Sequence, residues 1–199
     1  MKRSVFIAIS IAIFAFLAIS YVNCSGQEEK KQITQQELIT HGKYLVTTGG
    51  CDDCHTPKIF TPTGPTFDTT RRFSGFPESE TLPAYDVKFA APGNWVAADK
   101  HLAAWVGPWG ISYASNLTPD NATGIGTLTE EMFIKTLREG KYMGVGRPLL
   151  PPMPWDVIGK KTDQDLKAIY AYLRSVKPIS NKVPEPTAPD KIKEILAGK

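Results

Sequence analysis

Apolar positions along this chain fall into stretches of different rhythm. An almost unbroken apolar run spans residues 5–22, interrupted only by Ser10 and Ser20 and preceded by Lys2 and Arg3. Beyond a polar stretch, Leu38, Leu45 and Val46 follow Thr34-Gln35-Gln36-Glu37, a capping box in which the threonine accepts from a backbone N–H and the glutamate reaches back. This predicts a helix over residues 35–47, stopped by Gly49-Gly50. Phe133, Ile134 and Leu137 form an apolar face behind Thr129-Glu130-Glu131 and predict a second helix that closes at Gly140. Leu166, Ile169, Tyr170 and Leu173 recur at helical spacing and predict a core-facing third helix over residues 162–176, opened by Thr162 and Asp165 at capping distance and ended before Pro178.

Between residues 57 and 128 the helical rhythm fades, and Gly, Pro, Thr, Asn and Asp punctuate the chain every few residues. Ile111, Tyr113 and Ser115 alternate with Ser112 and Ala114, which predicts a short strand pair within residues 105–116. A segment this long and irregular argues against a compact domain unless something other than regular structure supplies the core. Residues 177–199 are rich in Pro and Lys, with one turn of helix expected over 190–197, and read as a wrapping or loose tail.

The missing core has a candidate in Cys51-Asp52-Asp53-Cys54-His55. Two cysteines three residues apart with a histidine directly after them form the attachment signature of a c-type haem. Both thiols can add to the vinyl groups of one porphyrin, and His55 is then placed beneath the iron as an axial ligand. A zinc site would need two further close ligands, for which only Cys24, His41 and His101 remain. A thioredoxin-like dithiol would sit at the end of a strand in a βαβ unit, whereas this pair follows a predicted helix. A large apolar cofactor explains the irregular segment, with Phe60, Phe67, Phe73, Phe76, Trp95, Trp105 and Trp109 as candidates for contact with it, although packing of the loops on one another accounts for most of them. His41, on the first helix, reads as a surface or structural histidine. His101 follows Ala97-Ala98-Asp99-Lys100 and is expected to be exposed.

A sixth iron ligand is sought among the methionines. Met153 lies in Pro151-Pro152-Met153-Pro154, where flanking prolines hold it in a stiff, extended loop at little entropic cost. Thioether sulfur is a soft neutral ligand that favours ferrous haem. Met143, between Tyr142 and Gly144, is the rival, and Met132 is assigned to the core. With the sixth site left open, the same chain would instead be a peroxidase-like haem enzyme or a gas sensor, and Arg147 is the one basic residue close to Met153 in sequence.

Length and charge narrow the remaining choices. The 199 residues accommodate one domain with extensions. The formal charge of +3 falls to +1 once Lys2 and Arg3 are set aside, which gives no electrostatic case for nucleic-acid binding. Glycine and proline, 16 each, fit a loop-rich domain folded around a ligand. The charged-then-apolar beginning matches a secretory signal, and the run is also long enough to span a bilayer uncleaved. Cys24 and the polar residues after it resemble a bacterial lipoprotein signal, with Cys24 the lipidated first residue of the mature protein. Tyr21-Val22-Asn23 are not the small residues usual ahead of such a cysteine, so Cys24 also reads as a leftover thiol beside an ordinary signal or anchor. Every version places the domain outside the cytoplasmic membrane, where haem attachment occurs. The expected organisation is a signal or anchor over 1–23, a polar tether over 24–32, a haem domain over 33–180 and a tail over 181–199.

With these residues assembled, the chain resembles the class I c-type cytochromes, and more closely the haem domains in cytochrome subunits of bacterial membrane-associated alcohol, aldehyde and gluconate dehydrogenases. The resemblance is carried by Gly42-Lys43-Tyr44-Leu45 ahead of Cys51 to His55, and by Asn116-Leu117-Thr118-Pro119-Asp120 with Thr123-Gly124-Ile125-Gly126. It continues through Met153-Pro154-Trp155 and residues 165–174. It implies a mainly α cytochrome c fold, helices packed around one covalent haem c and a loop-rich insertion with a short β-hairpin. It also implies haem thioethers at Cys51 and Cys54, His55 proximal and Met153 distal to the iron, and a crossing of the first and last helices at Gly42. The expected activity is one-electron transfer between exported or membrane-bound redox proteins, as a carrier and not an enzyme. Family subunits often carry two or three such domains, whereas this chain has one Cys-x-x-Cys-His.

Overall fold

The computed structural model describes residues 33–83 and 95–192. All three predicted helices form. Helix α1 (Gln35–Thr48) begins at the Thr34/Glu37 capping box, with both reciprocal hydrogen bonds made. A single turn, α2 (Cys51–His55), follows, and it was legible beforehand only as a motif. Helix α3 (Glu130–Glu139) is capped by Thr129 and ends at Gly140 in the left-handed region. A short turn of helix, α4 (Trp155–Ile158), leads to α5 (Asp163–Ser175), which opens on the Thr162/Asp165 capping box. Among the described residues, no helix is long and apolar enough to cross a membrane. Residues 1–32, with the signal or anchor, the tether and Cys24, lie outside the described residues.

Helices α1 and α5 cross at Gly42, where a Cβ would overlap the carbonyl oxygen of Ala168 and lie 2.8 Å from Tyr172 Cβ. The crossing is also held from its edge by His41 Nε2 against Asp165 Oδ1 at 2.7 Å, so His41 is structural, as expected. Val46, Phe73, Ile125, Phe133, Leu137, Leu166, Ile169, Tyr172 and Leu173 form the main core between α1, α3 and α5. Met132 is only half-buried and stands outside this cluster.

The irregular middle carries more sheet than its sequence suggested. Strands β1 (Lys58–Thr61) and β2 (Gly64–Phe67) form an antiparallel hairpin in register Lys58 to Phe67, unforeseen although Pro62 and Gly64 mark its turn. Strands β3 (Ala97–Ala98), β4 (Ala104–Gly107) and β5 (Gly110–Tyr113) form an antiparallel sheet in sequence order, with Trp105 opposite Ser112. The last two are the predicted strand pair.

The C-terminal segment wraps against this sheet. Thr187 and Ile111 exchange both backbone hydrogen bonds at 2.9 Å, and Ile192 is buried with Val106 and Ile111. Asn181 is buried, donating from Nδ2 to the carbonyls of Ser74 and Phe76 and accepting at Oδ1 from the Glu78 amide. Pro189–Lys191 makes one 3-10 turn that overlaps the start of the span expected to be helical, and residues 193–199 lie outside the described set.

His101 contradicts its expectation, being only 3% exposed. The reason is Asp99, which reads as a solvated charge but acts as a turn former. Its carboxylate accepts from the backbone N–H groups of His101, Ala103 and Ala104 at 2.7–3.1 Å. That turn carries the imidazole inward, where Nδ1 accepts the backbone N–H of Lys58 at 3.0 Å.

Candidate haem site

Gly49-Gly50 ends α1 and redirects the chain. Gly50 sits at φ +68°, a left-handed conformation that costs glycine little, and α2 starts directly after it. The reversal sets Cys51 and His55 at the base of a cleft of about 900 Å³, mouth included. Leu45 from α1, Phe133 and Leu137 from α3, Ile169 and Leu173 from α5, and Leu117, Ile125 and Leu128 from the loop before α3 make its walls apolar. Met143, Leu149, Met153 and Ile158 border it as well.

Cys51, His55, Met153 and the rival Met143 therefore border one cleft. Cys54, half-buried and three residues from Cys51 on the same helical turn, is not among the lining residues. The aromatic residues considered as cofactor contacts do not line it either. Phe73 and Phe76 are buried in the protein's own cores, while Phe60, Phe67 and Trp95 are exposed. The lining is instead mostly aliphatic, with Phe133 and Tyr142, and of these residues Phe133, Leu137, Ile169 and Leu173 had been marked as apolar helix faces.

His55 is buried, and its Nδ1 lies 2.7 Å from the Ser115 carbonyl oxygen. A carbonyl can only accept, so Nδ1 carries the proton and the lone pair resides on Nε2. Burial lowers the histidine pKa below its usual value, against the opposing pull of the Ser115 bond, so the ring is neutral. A neutral imidazole with one nitrogen anchored to the backbone is the form that ligates metals. Burial, reinforced by the Asp52 charge, pushes the Cys51 thiol up to about 11, and burial raises Cys54 too. Both thiols are free, and neither has the lowered pKa of a reactive dithiol. Among the described residues, no group of three or more His, Cys, Asp or Glu side chains is placed to hold a metal ion.

The Cys51–His55 turn is braced by residues that sequence reading missed. Arg72 donates from Nε to Asp52 Oδ1 at 2.8 Å and from Nη2 to Oδ2 at 2.6 Å, while Nη1 reaches the Tyr172 hydroxyl on α5 at 3.0 Å. Its guanidinium stacks 4.5 Å from the Phe73 ring centroid. Thr56 Oγ1 donates to Asp52 Oδ1 at 2.8 Å and accepts the Phe73 amide at 3.1 Å. Burial would push the Asp52 carboxyl up, but the hydrogen bonds from Arg72 and Thr56 outweigh it and hold the group below the usual carboxylate range.

No protein-family model matches the chain. It is 29% identical over 174 residues to the fructose dehydrogenase cytochrome subunit of Gluconobacter japonicus, covering 87% of this chain and 28% of that one. It is 30% identical over 144 residues to the gluconate 2-dehydrogenase cytochrome c subunit of Pantoea cypripedii, covering 72% and 24%. The chain is a relative of dehydrogenase cytochrome c subunits. The cytochrome c subunit of a quinone alcohol dehydrogenase from Gluconobacter oxydans is 40% identical over 81 residues, covering 39% of this chain and 17% of the relative. The chain thus spans about a quarter of the length of the first two cytochrome subunits. Their names carry the cytochrome c and electron-transfer expectations, and the mainly helical architecture with small antiparallel sheets is compatible with the expected fold.

Proposed function

We propose that this chain is a single-haem c-type cytochrome that passes one electron at a time between exported or membrane-bound redox partners, one of them a dehydrogenase of the kind its relatives serve. The observation that carries the reading is His55: its Nδ1–H is fixed on the Ser115 carbonyl at the base of an apolar cleft that Cys51 and two methionines also border. In this reading Cys51 and Cys54 would form the two thioethers, and His55 Nε2 and the Met153 sulfur would hold the iron. Met153 is favoured over Met143 because Pro152 and Pro154 flank it and it packs against the main core, whereas Met143 holds an unfavourable left-handed backbone at φ +53°. Cys24 would tether the exported domain to the periplasmic side of a bacterial membrane through lipid.

The bound haem supplies a reversible one-electron change at iron. The protein's residues do the rest. Leu45, Leu117, Phe133, Leu137 and Leu173 exclude water, which lowers the local dielectric. Ser115 keeps His55 from rotating or changing tautomer, so the ligand set is the same before and after transfer. The alternative, an open sixth site in a haem enzyme or gas sensor, is disfavoured by two methionines bordering the cleft.

The test is a pyridine haemochrome spectrum on protein made with haem-attachment machinery, recorded after acid–acetone extraction. A c-type spectrum that stays with the polypeptide supports the reading, and haem that washes out overturns it. Met153→Ala should then abolish the methionine-to-iron band near the red end of the ferric spectrum while Met143→Ala keeps it. The reverse outcome would transfer the sixth ligand to Met143.

A further inference from the structure

Three residues beyond His55, Lys58 opens β1 with its side chain turned inward, and the residue is only 9% exposed. Its ammonium donates to the carbonyl oxygens of Asp53 at 2.6 Å, Thr56 at 2.7 Å and His101 at 2.9 Å, with the Asp52 carbonyl at 3.4 Å. An ammonium has three protons, and the three short bonds use them all. Two of those carbonyls belong to α2 and the residue that ends it, the end of a helix where carbonyls lack partners within the helix. The third belongs to the turn that carries His101, 43 residues away. The hairpin covers the amine: Phe67, opposite Lys58 in the β1–β2 register, places its ring centroid 5.1 Å from Nζ.

Burying a cation is costly, and a cap on two carbonyls does not require one. None of the printed hydrogen bonds of its ammonium goes to a carboxylate oxygen, and Asp52 on the same turn is occupied by Arg72 and Thr56. The Lys58 ammonium is therefore hydrogen-bonded to carbonyls, with the Asp53, Asp99 and Asp52 charges acting on it from further off, and it is fixed one residue from His55 through the Thr56 carbonyl. A positive charge held close to a centre favours the state with one electron more.

We propose that Lys58 is a positioning residue with an electrostatic role: it pins the C-terminal end of the attachment turn and raises the reduction potential of the iron held by His55. The role rests on the haem reading above. One electron enters on reduction and no proton accompanies it, because Lys58 stays charged and hydrogen-bonded in both states. Phe67, although exposed on its outer side, keeps its ring over the amine.

The experiment is a redox titration of haem-loaded wild type, Lys58→Gln and Lys58→Arg, with haem attachment checked by the haemochrome spectrum of each. Lys58→Gln should lower the equilibrium constant for reduction about tenfold, a fall of about 59 mV for one electron, whereas Lys58→Arg should stay within about twofold of wild type. A loaded Lys58→Gln protein within twofold of wild type overturns the role and leaves the haem reading intact. Equal falls in both variants also overturn it, because shape and not charge would then be responsible. Wild type without covalent haem overturns the haem reading and this role together. Should neither variant fold, the ammonium signal of Lys58 in a 1H–15N spectrum of the reduced wild type decides. Slowly exchanging protons support the buried cap, and exchange as fast as that of surface lysines overturns it.

Discussion

Replacing Arg72 by methionine isolates the brace between the attachment turn and α5. The change keeps an unbranched apolar stem but removes two hydrogen bonds to Asp52, one to Tyr172 and the stacking on Phe73. Breaking a buried ion pair costs about 3–5 kcal/mol, chiefly because a charge is left unpaired. The Asp52 side chain is 12% exposed, but that of Arg72 is 33% exposed, so solvent screening reduces the expected loss to about 2–3 kcal/mol. With a urea dependence of about 2 kcal/mol per molar, the unfolding midpoint of the haem-loaded protein at pH 7 should fall by about 1 M. Asp52→Asn alone should also destabilise, and the double variant should lose less than the sum, with a coupling of about 1–2 kcal/mol. The pH dependence has a definite sign. Asp52 is held below its usual pKa in the folded protein, so its stabilisation is present above the unfolded carboxylate pKa and is lost as pH falls through the folded one. The gap between wild type and Arg72→Met should therefore narrow on acidification. A midpoint shift below about 0.3 M, or strict additivity in the double variant, would refute the brace.

Further outcomes follow from the same contacts. Gly42→Ala gains helix propensity of about 1 kcal/mol but drives its Cβ into the Ala168 backbone, so urea unfolding should show a net loss of about 1–3 kcal/mol; a stabilised variant would contradict the close crossing. The hydrogen bond from His41, with Thr162 adding, holds the Asp165 carboxyl below its usual range, a stabilisation present above the unfolded pKa and lost as pH falls. His41→Ala should accordingly show a shallower fall in Tm on acidification than wild type, and parallel curves would remove the pair from the account. Asn181→Ala strands the Ser74 and Phe76 carbonyls and the Glu78 amide; a thermal melt should report a loss of about 2–4 kcal/mol, and a loss under about 1 kcal/mol would show that water replaces the side chain.

What could be read from the sequence was local. Helices α1, α3 and α5 announced themselves because a cap, an apolar face and a terminator all lie within one short window, and each formed within a residue or so of its expected ends. The cleft lining was legible in part: Phe133, Leu137, Ile169 and Leu173 were marked as apolar faces, though as packing rather than as walls. Aromatic residues in the irregular segment were poor guides, because their partners are set by turns that bury some and expose others. His101 shows the mechanism, since Asp99 reads as solvated in sequence yet accepts three backbone amides. Arg72 and Lys58 were beyond reach for a related reason. Charged residues in a loop predict exposure, and the groups that bury these two come from 100 and 43 residues away.

Those distant partners converge on one short turn. Asp52 is tied through Arg72 to α5, His55 is tied to the Ser115 carbonyl after β5, and Lys58 ties the end of the turn to the His101 loop. The three ties approach from different parts of the chain, so shifting the five residues of α2 would break contacts with the helical core, the β3–β5 region and the hairpin together. A ligand side chain held in this way loses little entropy on binding and moves little afterwards, because its orientation is set before any metal arrives. The irregular middle of the chain, which looked too long for a compact domain, supplies Ser115, His101 and Arg72 and thus two of the three ties outright and the linking residue of the other.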